Sequence, residues 1–345
     1  MKSHKKPQSN VSMYKIAIVG LGPAGILLLA HLPPEIMKDV IVFEPSAVGG
    51  ALATEYGSVV ANITKSVIVA AFRAVPRWAS AQFKCLEKYP DEQCPMLSDV
   101  VKQFRELIAP ELRNVVFHSS RVVRYERTAN SWKLTADNKL FEVQKLALTI
   151  GATPKILDLP KPVIPLPIAL TPYLLSNYVC PEDNVVVFGT AHSGTLALRN
   201  LHNAGVKKLT GIYKGDKPFM YARDGFSEGI KQESAAIADD LITSHTADLI
   251  GINDFSAAYR AMAEATAVVY AIGFERPAIT YFLNDESKPF FVSEPANPEI
   301  NVWGFGIGYP SPYTGPDGKN YPDIGFGGFI SAITAALPLM LKFDS

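Results

Sequence analysis

"IAIVGLGPAGILLL", residues 16–29, decides the fold. An apolar run ends at Gly20, glycines follow at the G-x-G-x-x-G spacing (Gly20, Gly22, Gly25), and apolar residues resume at once. That is strand, turn, helix. Gly20 permits the tight turn, Gly22 lacks a Cβ where a pyrophosphate would approach, and Gly25 lets the helix pack closely on the sheet. Pro23 and Ala24 lie inside the same turn and are candidate contacts. The helix N-terminus offers unpaired N–H groups and the positive end of its dipole to phosphate. Pro33 and Pro34 stop the helix, and Val40–Phe43 reads as the next buried strand. Glu44 ends that strand, 19 residues after Gly25, where its carboxylate can accept hydrogen bonds from ribose hydroxyls. A crossover of this kind implies parallel strands.

A second copy follows at residues 185–198, "VVVFGTAHSGTLAL". Gly189 and Gly194 keep their places, but Ala191 stands where the middle glycine is expected and adds one methyl at the point of phosphate approach. Ser193 can offer a hydroxyl to phosphate. Lys214 lies 20 residues after Gly194, at the end of the strand Leu209–Tyr213, and reads as the counterpart of Glu44. A lysine there favours a 2′-phosphate over a bare ribose, hence NADPH in preference to NADH. Lys217 and Arg223 are further candidates, and Asp216 between the lysines opposes them. A solvated loop is the alternative for all these charges.

Bulk composition narrows the class. The chain has 345 residues, 48% of them apolar, enough for two domains with a substantial core. Lys plus Arg and Asp plus Glu balance at 33 each, which gives no reason to expect nucleic acid or an anionic membrane as partner. Three cysteines, Cys85, Cys94 and Cys180, make neither a disulfide framework nor a zinc spacing, and they suit a reducing, cytoplasmic setting. No metal site is expected. The basic start followed by the apolar residues 16–30 is not read as a signal peptide, because the run contains the glycine turn and lacks a cleavage pattern. It is also shorter than a membrane span.

Further strands are expected at Val115–His118, Arg121–Arg127, Ser131–Thr135 and Leu146–Ile150, with turns at "TANS" and "ADNK". The proline-rich residues 152–182 read as an extended linker. A strand at Ala267–Ile272 ends at Gly273, and "INVWGFG" precedes a glycine- and tyrosine-rich loop and the apolar segment Phe326–Phe343.

At this point the chain resembles a family. "IAIVGLGPAGILLLAHL" with "VIVFEPSAVGG" looks like the FAD-binding start of the two-dinucleotide-domain flavoproteins, which include thioredoxin-reductase-like enzymes and flavin-containing monooxygenases. "LALTIGATPK" (146–155) and "VVYAIGFERP" (268–277) resemble that family's two junctions, where the chain crosses between domains. Together the likenesses span about residues 14–335. The resemblance implies an α/β fold, a Rossmann-like FAD-binding domain (13–155 and 290–345, after a flexible arm 1–12) with an inserted Rossmann-like NAD(P)H-binding domain (156–289). It implies that Gly20, Gly22, Pro23, Ala24, Gly25 and Glu44 hold the ADP half of FAD. Gly49 and Gly50 would lie near the ribityl and ring, with Gly151, Gly306, Gly327, Gly328 and Phe329 also lining the flavin. Gly189, Ala191, His192, Ser193, Gly194, Lys214, Lys217 and Gly273 would hold NAD(P)H. His192 is a candidate for the nicotinamide–flavin interface, a turn histidine being the alternative.

Three departures matter. The reductases carry a Gly-Asp pair after the last strand, whose aspartate binds the ribityl chain; Gly306-Ile307 stands there in this sequence. They also need a cysteine pair beside the flavin, and no C-x-x-C or C-x-x-x-x-C occurs. The monooxygenase signature F-x-G-x-x-x-H-S is absent too: "PLPIALTPYLL" occupies that region. The expectation is an oxidoreductase that takes hydride from NADPH to FAD and passes electrons to a small-molecule or protein acceptor, or to O2. A small-molecule monooxygenase is one alternative, and a flavin-binding sensor with an inert second nucleotide domain is another. Tyr309, Tyr313 and Tyr321, in the loop 305–328, are candidates to line a substrate site. A homodimer is compatible with the resemblance.

Overall fold

The computed structural model describes residues 13–219, 230–290, 296–315 and 318–343. The arm 1–12 and Arg223 lie outside the described residues.

Two parallel sheets organise the chain. In the first, the parallel strands lie in the order Val116–His118, Val40–Phe43, Met13–Val19, Lys139–Leu148, Val302–Gly304. In the second the order is Asp248–Gly251, Lys208–Tyr213, Asn184–Phe188, Ala267–Tyr270, again all parallel. Each sheet therefore runs third, second, first, then a later strand. That order creates a switch point beside the carboxyl end of the first strand, where α/β sheets take their ligands.

Burial on both faces explains the strand composition. All four residues of Val40–Phe43 are buried, as expected for a parallel sheet covered by helices on either side. The helix Pro23–His31 is apolar all round because it packs against the sheet and against the helices Leu97–Leu112 and Phe326–Met340. Leu27, Leu28 and Leu29 are wholly buried there. Lys145 ties the last helix to the sheet. It is buried on the strand Lys139–Leu148, and its ammonium donates to the Leu339 carbonyl at 3.1 Å and to that of Lys342, with the Phe343 ring 4.8 Å away. A cation at a helix C-terminus meets the negative end of the dipole.

Lys139–Leu148 serves two arrangements. Its first half pairs antiparallel with Trp132–Ala136 across the turn Asp137–Asn138, and its second half joins the parallel sheet. The strand is longer than the sequence suggests because the meander extends it backwards. The linker contains two short helical turns, Leu166–Ala169 and Pro172–Leu175, each with proline at its start. Proline is compatible with a first helical turn, so the expectation of a fully extended segment is corrected.

The boundary between the units also moves. Thr280–Leu283 and Glu286–Pro289 form a hairpin around Asn284–Asp285, both with positive φ, and Phe282 pairs with Glu126 of the first sheet. Residues 280–289 belong to the first sheet, so the chain returns before residue 290. The Asn-Asp turn was the available signal. At the crossing, Thr153–Pro154 pairs antiparallel with Phe274–Glu275, and Lys155 N donates to Gly273 O at 2.9 Å. Among the described residues no helix is long and apolar enough to cross a membrane.

Candidate functional site

The two glycine turns are built alike. Gly20 N donates to Phe43 O and Gly189 N to Ile212 O, both at 2.8 Å. Both glycines have positive φ, 98° and 85°, and each faces a backbone carbonyl of the neighbouring strand's end, Thr149 in one unit and Ala271 in the other. Gly25 and Gly194 press against the carbonyls of Gly20 and Gly189. Thr149 Oγ1 adds hydrogen bonds to the Val19 carbonyl (3.1 Å) and the Gly20 carbonyl (2.5 Å), a support that the sequence reading missed and that Ala271 cannot supply.

Gly22 and Ala191 are the N-caps of the two helices, Pro23–His31 and His192–Asn203. Their backbones nearly coincide: φ −71°, ψ −173° and φ −75°, ψ −158°. Neither position needs glycine for its conformation, so Ala191 carries no backbone strain. Its methyl matters only for what approaches the turn. A Cβ on Gly22 would meet nothing closer than Gly49 O at 3.9 Å, which leaves this face open to a phosphate. Neither helix carries an acid in its first turn.

Glu44 is 4% exposed. Its Oε2 accepts from Leu21 N at 2.7 Å, and its Oε1 accepts from Ser46 N and Ser46 Oγ, each at 2.9 Å. Leu21 O in turn accepts from Gly49 N at 2.8 Å. The carboxylate thus joins the first glycine turn to the loop that carries Gly49 and Gly50. A Cβ on Gly50 would come within 3.1 Å of Gly22 Cα, so the two loops touch backbone to backbone. Arg105 holds the same loop from outside, its Nε donating to Val48 O at 2.8 Å.

Strand register corrects one expectation. Val19 pairs with Phe43, and Phe188 pairs with Ile212. The residue in Glu44's position is therefore Tyr213, and Lys214 follows it. The two crossovers are equally long, 19 residues from Gly25 to Glu44 and 19 from Gly194 to Tyr213, so a count of 20 to Lys214 overshot the partner by one. Tyr213 lies against Gly251, and Lys214 and Lys217 are exposed. No carboxylate stands at the end of this strand. His192 is half-buried at the helix start, and its carbonyl accepts from Ser234 Oγ at 3.5 Å.

A family model described as FAD-NAD(P)-binding matches residues 17–153. No curated protein matches the chain. Among solved structures, bacillithiol disulfide reductase from Staphylococcus aureus has a TM-score of 0.59 at 16% identity, covering 94% of this chain and 99% of that one. Thioredoxin reductase from Lactococcus lactis gives 0.56 at 12% identity, with 96% and 100% covered. Flavin-containing monooxygenase from Stenotrophomonas maltophilia gives 0.56 at 14% identity, with 94% and 97% covered. The chain has the two-dinucleotide-binding-domain flavoprotein fold.

The remaining candidates are glycines near the chain crossings and at the start of the last helix. Gly151 and Gly273 both have positive φ and nothing within 4 Å of where a Cβ would stand, so both junctions are open. Gly306 lies close enough to Ala24 that a Cβ would reach its methyl at 2.7 Å, and Gly308 presses on Gly151 O. Gly327 is open, whereas Gly328 is covered by the carboxylate of Asp323, whose Oδ1 also accepts from Gly325 N at 3.2 Å. Asp323 thus stands at the N-terminus of the last helix. An acid just before an apolar helix was the sequence signal for it. Phe329 is corrected: its ring is in the core and its N–H is taken by Gly325 O.

The tyrosine loop divides. Tyr309 is buried beneath Gly304, with the Arg276 guanidinium 5.0 Å from its ring centre. Burial pushes its phenol up to about 12, against the pull of Arg276, so it stays protonated at neutral pH. Tyr313 and Tyr321 face one another across the hairpin Ser311–Thr314 and Asn320–Asp323, with ring centres 5.8 Å apart, and both are exposed. Separately, a cleft of about 790 Å³ opens between the units, lined by Thr64, Ser66 and Cys94 on one side and Gln232, Glu233 and Ala236 on the other.

Proposed function

We propose that this protein is an NADPH-dependent FAD oxidoreductase. One observation carries the reading: two glycine turns of the same geometry, each at the switch point of a parallel sheet, differ in the residues that end the next strand. Glu44, buried and negative, suits the ribose of FAD; Tyr213-Lys214, without a carboxylate and with an exposed ammonium, suits the 2′-phosphate of NADPH. When bound, the flavin supplies hydride acceptance and onward electron transfer. The chain's own residues position the two dinucleotides at the open junctions Gly151 and Gly273. The acceptor is a small molecule, a protein or O2. Relay through protein thiols finds no support in three scattered cysteines.

Purified protein should be yellow, and its absorbance near about 450 nm, a property of the flavin, should bleach on anaerobic addition of NADPH. A colourless protein that takes up no added FAD ends the proposal. Bleaching by neither NADPH nor NADH would favour a flavin-binding sensor.

Two variants test the second turn. Lys214→Glu should weaken NADPH about tenfold relative to NADH, and the difference should shrink as salt screens the exposed charge. An unchanged NADPH-to-NADH ratio of dissociation constants removes Lys214 from the site. Ala191→Gly should tighten NADPH about three- to tenfold, since it restores the open face seen at Gly22 without altering the backbone. No gain in titration calorimetry would mean that the phosphates pass clear of the methyl.

A further inference from the structure

The cleft between the units has a volume of about 790 Å³. Small-molecule sites usually measure about 300–1,000 Å³ and favour the meeting of two units. Both walls are fixed by the protein's own bonds. On one side Ala61 N donates to Pro95 O at 2.8 Å, Lys65 N to Gln93 O at 2.8 Å and Ser66 N to Asp91 O at 3.1 Å, so two segments are laced into one surface. On the other side stands the helix Ile230–Ser244. The ion pair of Glu233 with Arg199, at 2.8 Å, ties it to the helix His192–Asn203. The walls are therefore in place before anything binds.

The lining decides what the cleft can hold. Thr64 precedes the helix Lys65–Arg73, yet its hydroxyl caps no N–H there and lies 3.0 Å from Ser66 Oγ. Across the opening Gln232 and Glu233 supply an amide and a carboxylate, and Glu92 adds a second carboxylate from the first wall. Among the described residues, no aromatic ring, lysine or arginine lines the cleft. Arg199 is matched by Glu233, and Lys65, whose neighbours Thr64 and Ser66 line the cleft, is matched by Asp91 at 2.9 Å. The charge of Glu92 is thus in excess. A phosphate finds no cation here, and a flat heterocycle finds no ring to stack on. A cleft lined by one sign of charge concentrates ions of the other. We propose that this cleft is a binding site for a small hydroxylated aliphatic amine. Its ammonium meets Glu92, and its hydroxyl meets Thr64 and Ser66 on one wall or Gln232 on the other. The site needs neither FAD nor NADPH, so it stands or falls apart from the cofactor reading.

Three probes of one chain length test this on the cofactor-free full chain: aminopentanol, pentanediol and hydroxypentanoate, each substituted at both ends. NMR titration of the protein's amide signals gives the dissociation constants. The amine should bind at least about tenfold tighter than the diol, and the hydroxy acid more weakly than either. The amine's advantage should shrink as salt rises. A diol that binds as tightly as the amine, or an amine that does not bind, overturns the proposal. Two variants then locate the site. Glu92→Gln should remove the amine's advantage, and Ala236→Trp should fill the cleft from the opposite wall and abolish amine binding. Both positions are exposed, so neither change should move the unfolding midpoint. Unchanged amine binding in Glu92→Gln removes the charge from the argument and overturns it. Normal amine binding in a folded Ala236→Trp places the amine on one wall alone and overturns the cleft. Should Ala236→Trp unfold early, Gln232→Lys, at another exposed position of that wall, replaces it. That lysine should weaken the amine about tenfold and leave the diol unchanged, and equal effects on both would refute the proposal.

Discussion

Gly25→Ala should abolish FAD retention and lower the unfolding free energy by about 3 kcal/mol. A Cβ at this position runs into the Gly20 carbonyl and comes within 2.9 Å of Thr149 Oγ1. Gly20 cannot yield, because its N–H is bonded to Phe43 O and its own Cα faces the Thr149 backbone. Thr149 cannot yield either, since its N–H is bonded to Val19 O and its hydroxyl to two carbonyls. The helix must therefore lift off the sheet, and with it the N–H groups aimed at the phosphates. Gly22→Ala is the control. Its backbone has negative φ and its nearest neighbour is 3.9 Å away, so the fold should change by less than about 1 kcal/mol. FAD affinity alone should fall, by about tenfold, because the methyl meets the ligand and not the protein. Urea unfolding of the cofactor-free chain, paired with FAD titration, distinguishes the two. Equal loss of stability in both variants would refute the division between a packing glycine and an approach glycine. The second unit already contains the Gly22→Ala state, as Ala191, and folds with the same turn.

That comparison shows what a sequence can reveal here. Gly20 and Gly25 were legible because steric exclusion acts over a few residues: a turn this tight admits no Cβ, whatever surrounds it. Glu44 was legible because its crossover has the usual length. Lys214 was misassigned by a count of 20 where the first copy has 19; the crossovers are equally long, and the strand register puts Tyr213 in Glu44's place. Asp323 was missed although its signal is local, an acid three residues before the apolar helix Phe326–Met340. The hairpin at residues 280–289 was missed because its strands are only four residues each and its link to the first sheet, Phe282 to Glu126 and Tyr281 against Trp132, is made across the chain. Composition and periodicity report burial, and these elements are held by pairing.

Glu44→Gln should cost about 1–2 kcal/mol of stability and weaken FAD binding about tenfold or more. A carboxylate has about four lone-pair sites, and three are filled by Leu21 N, Ser46 N and Ser46 Oγ. One remains, and rotation of the Ser46 hydroxyl frees a second, which is the acceptor capacity a ribose with two hydroxyls requires. Glutamine keeps the shape but not this capacity. Whichever way its amide turns, an NH2 replaces one oxygen, so it confronts either Leu21 N–H or Ser46 N–H with a second donor in a buried place. Glu44→Ala should be worse for the fold, because Leu21 N–H and Ser46 N–H both lose their acceptor and the link to the Gly49–Gly50 loop is cut. The stability loss arises from the protein's own hydrogen bonds, whereas the loss of FAD arises from the ribose, and the two can be measured apart. Chemical unfolding without cofactor gives the first; the fluorescence of released flavin gives the second. If Glu44→Gln unfolds earlier yet holds FAD as tightly as wild type, the carboxylate is a strap between two loops and the ribose is bound elsewhere. If it loses FAD with no change in unfolding, the bonds to Leu21 and Ser46 contribute nothing, and the buried acid is there for the ligand alone.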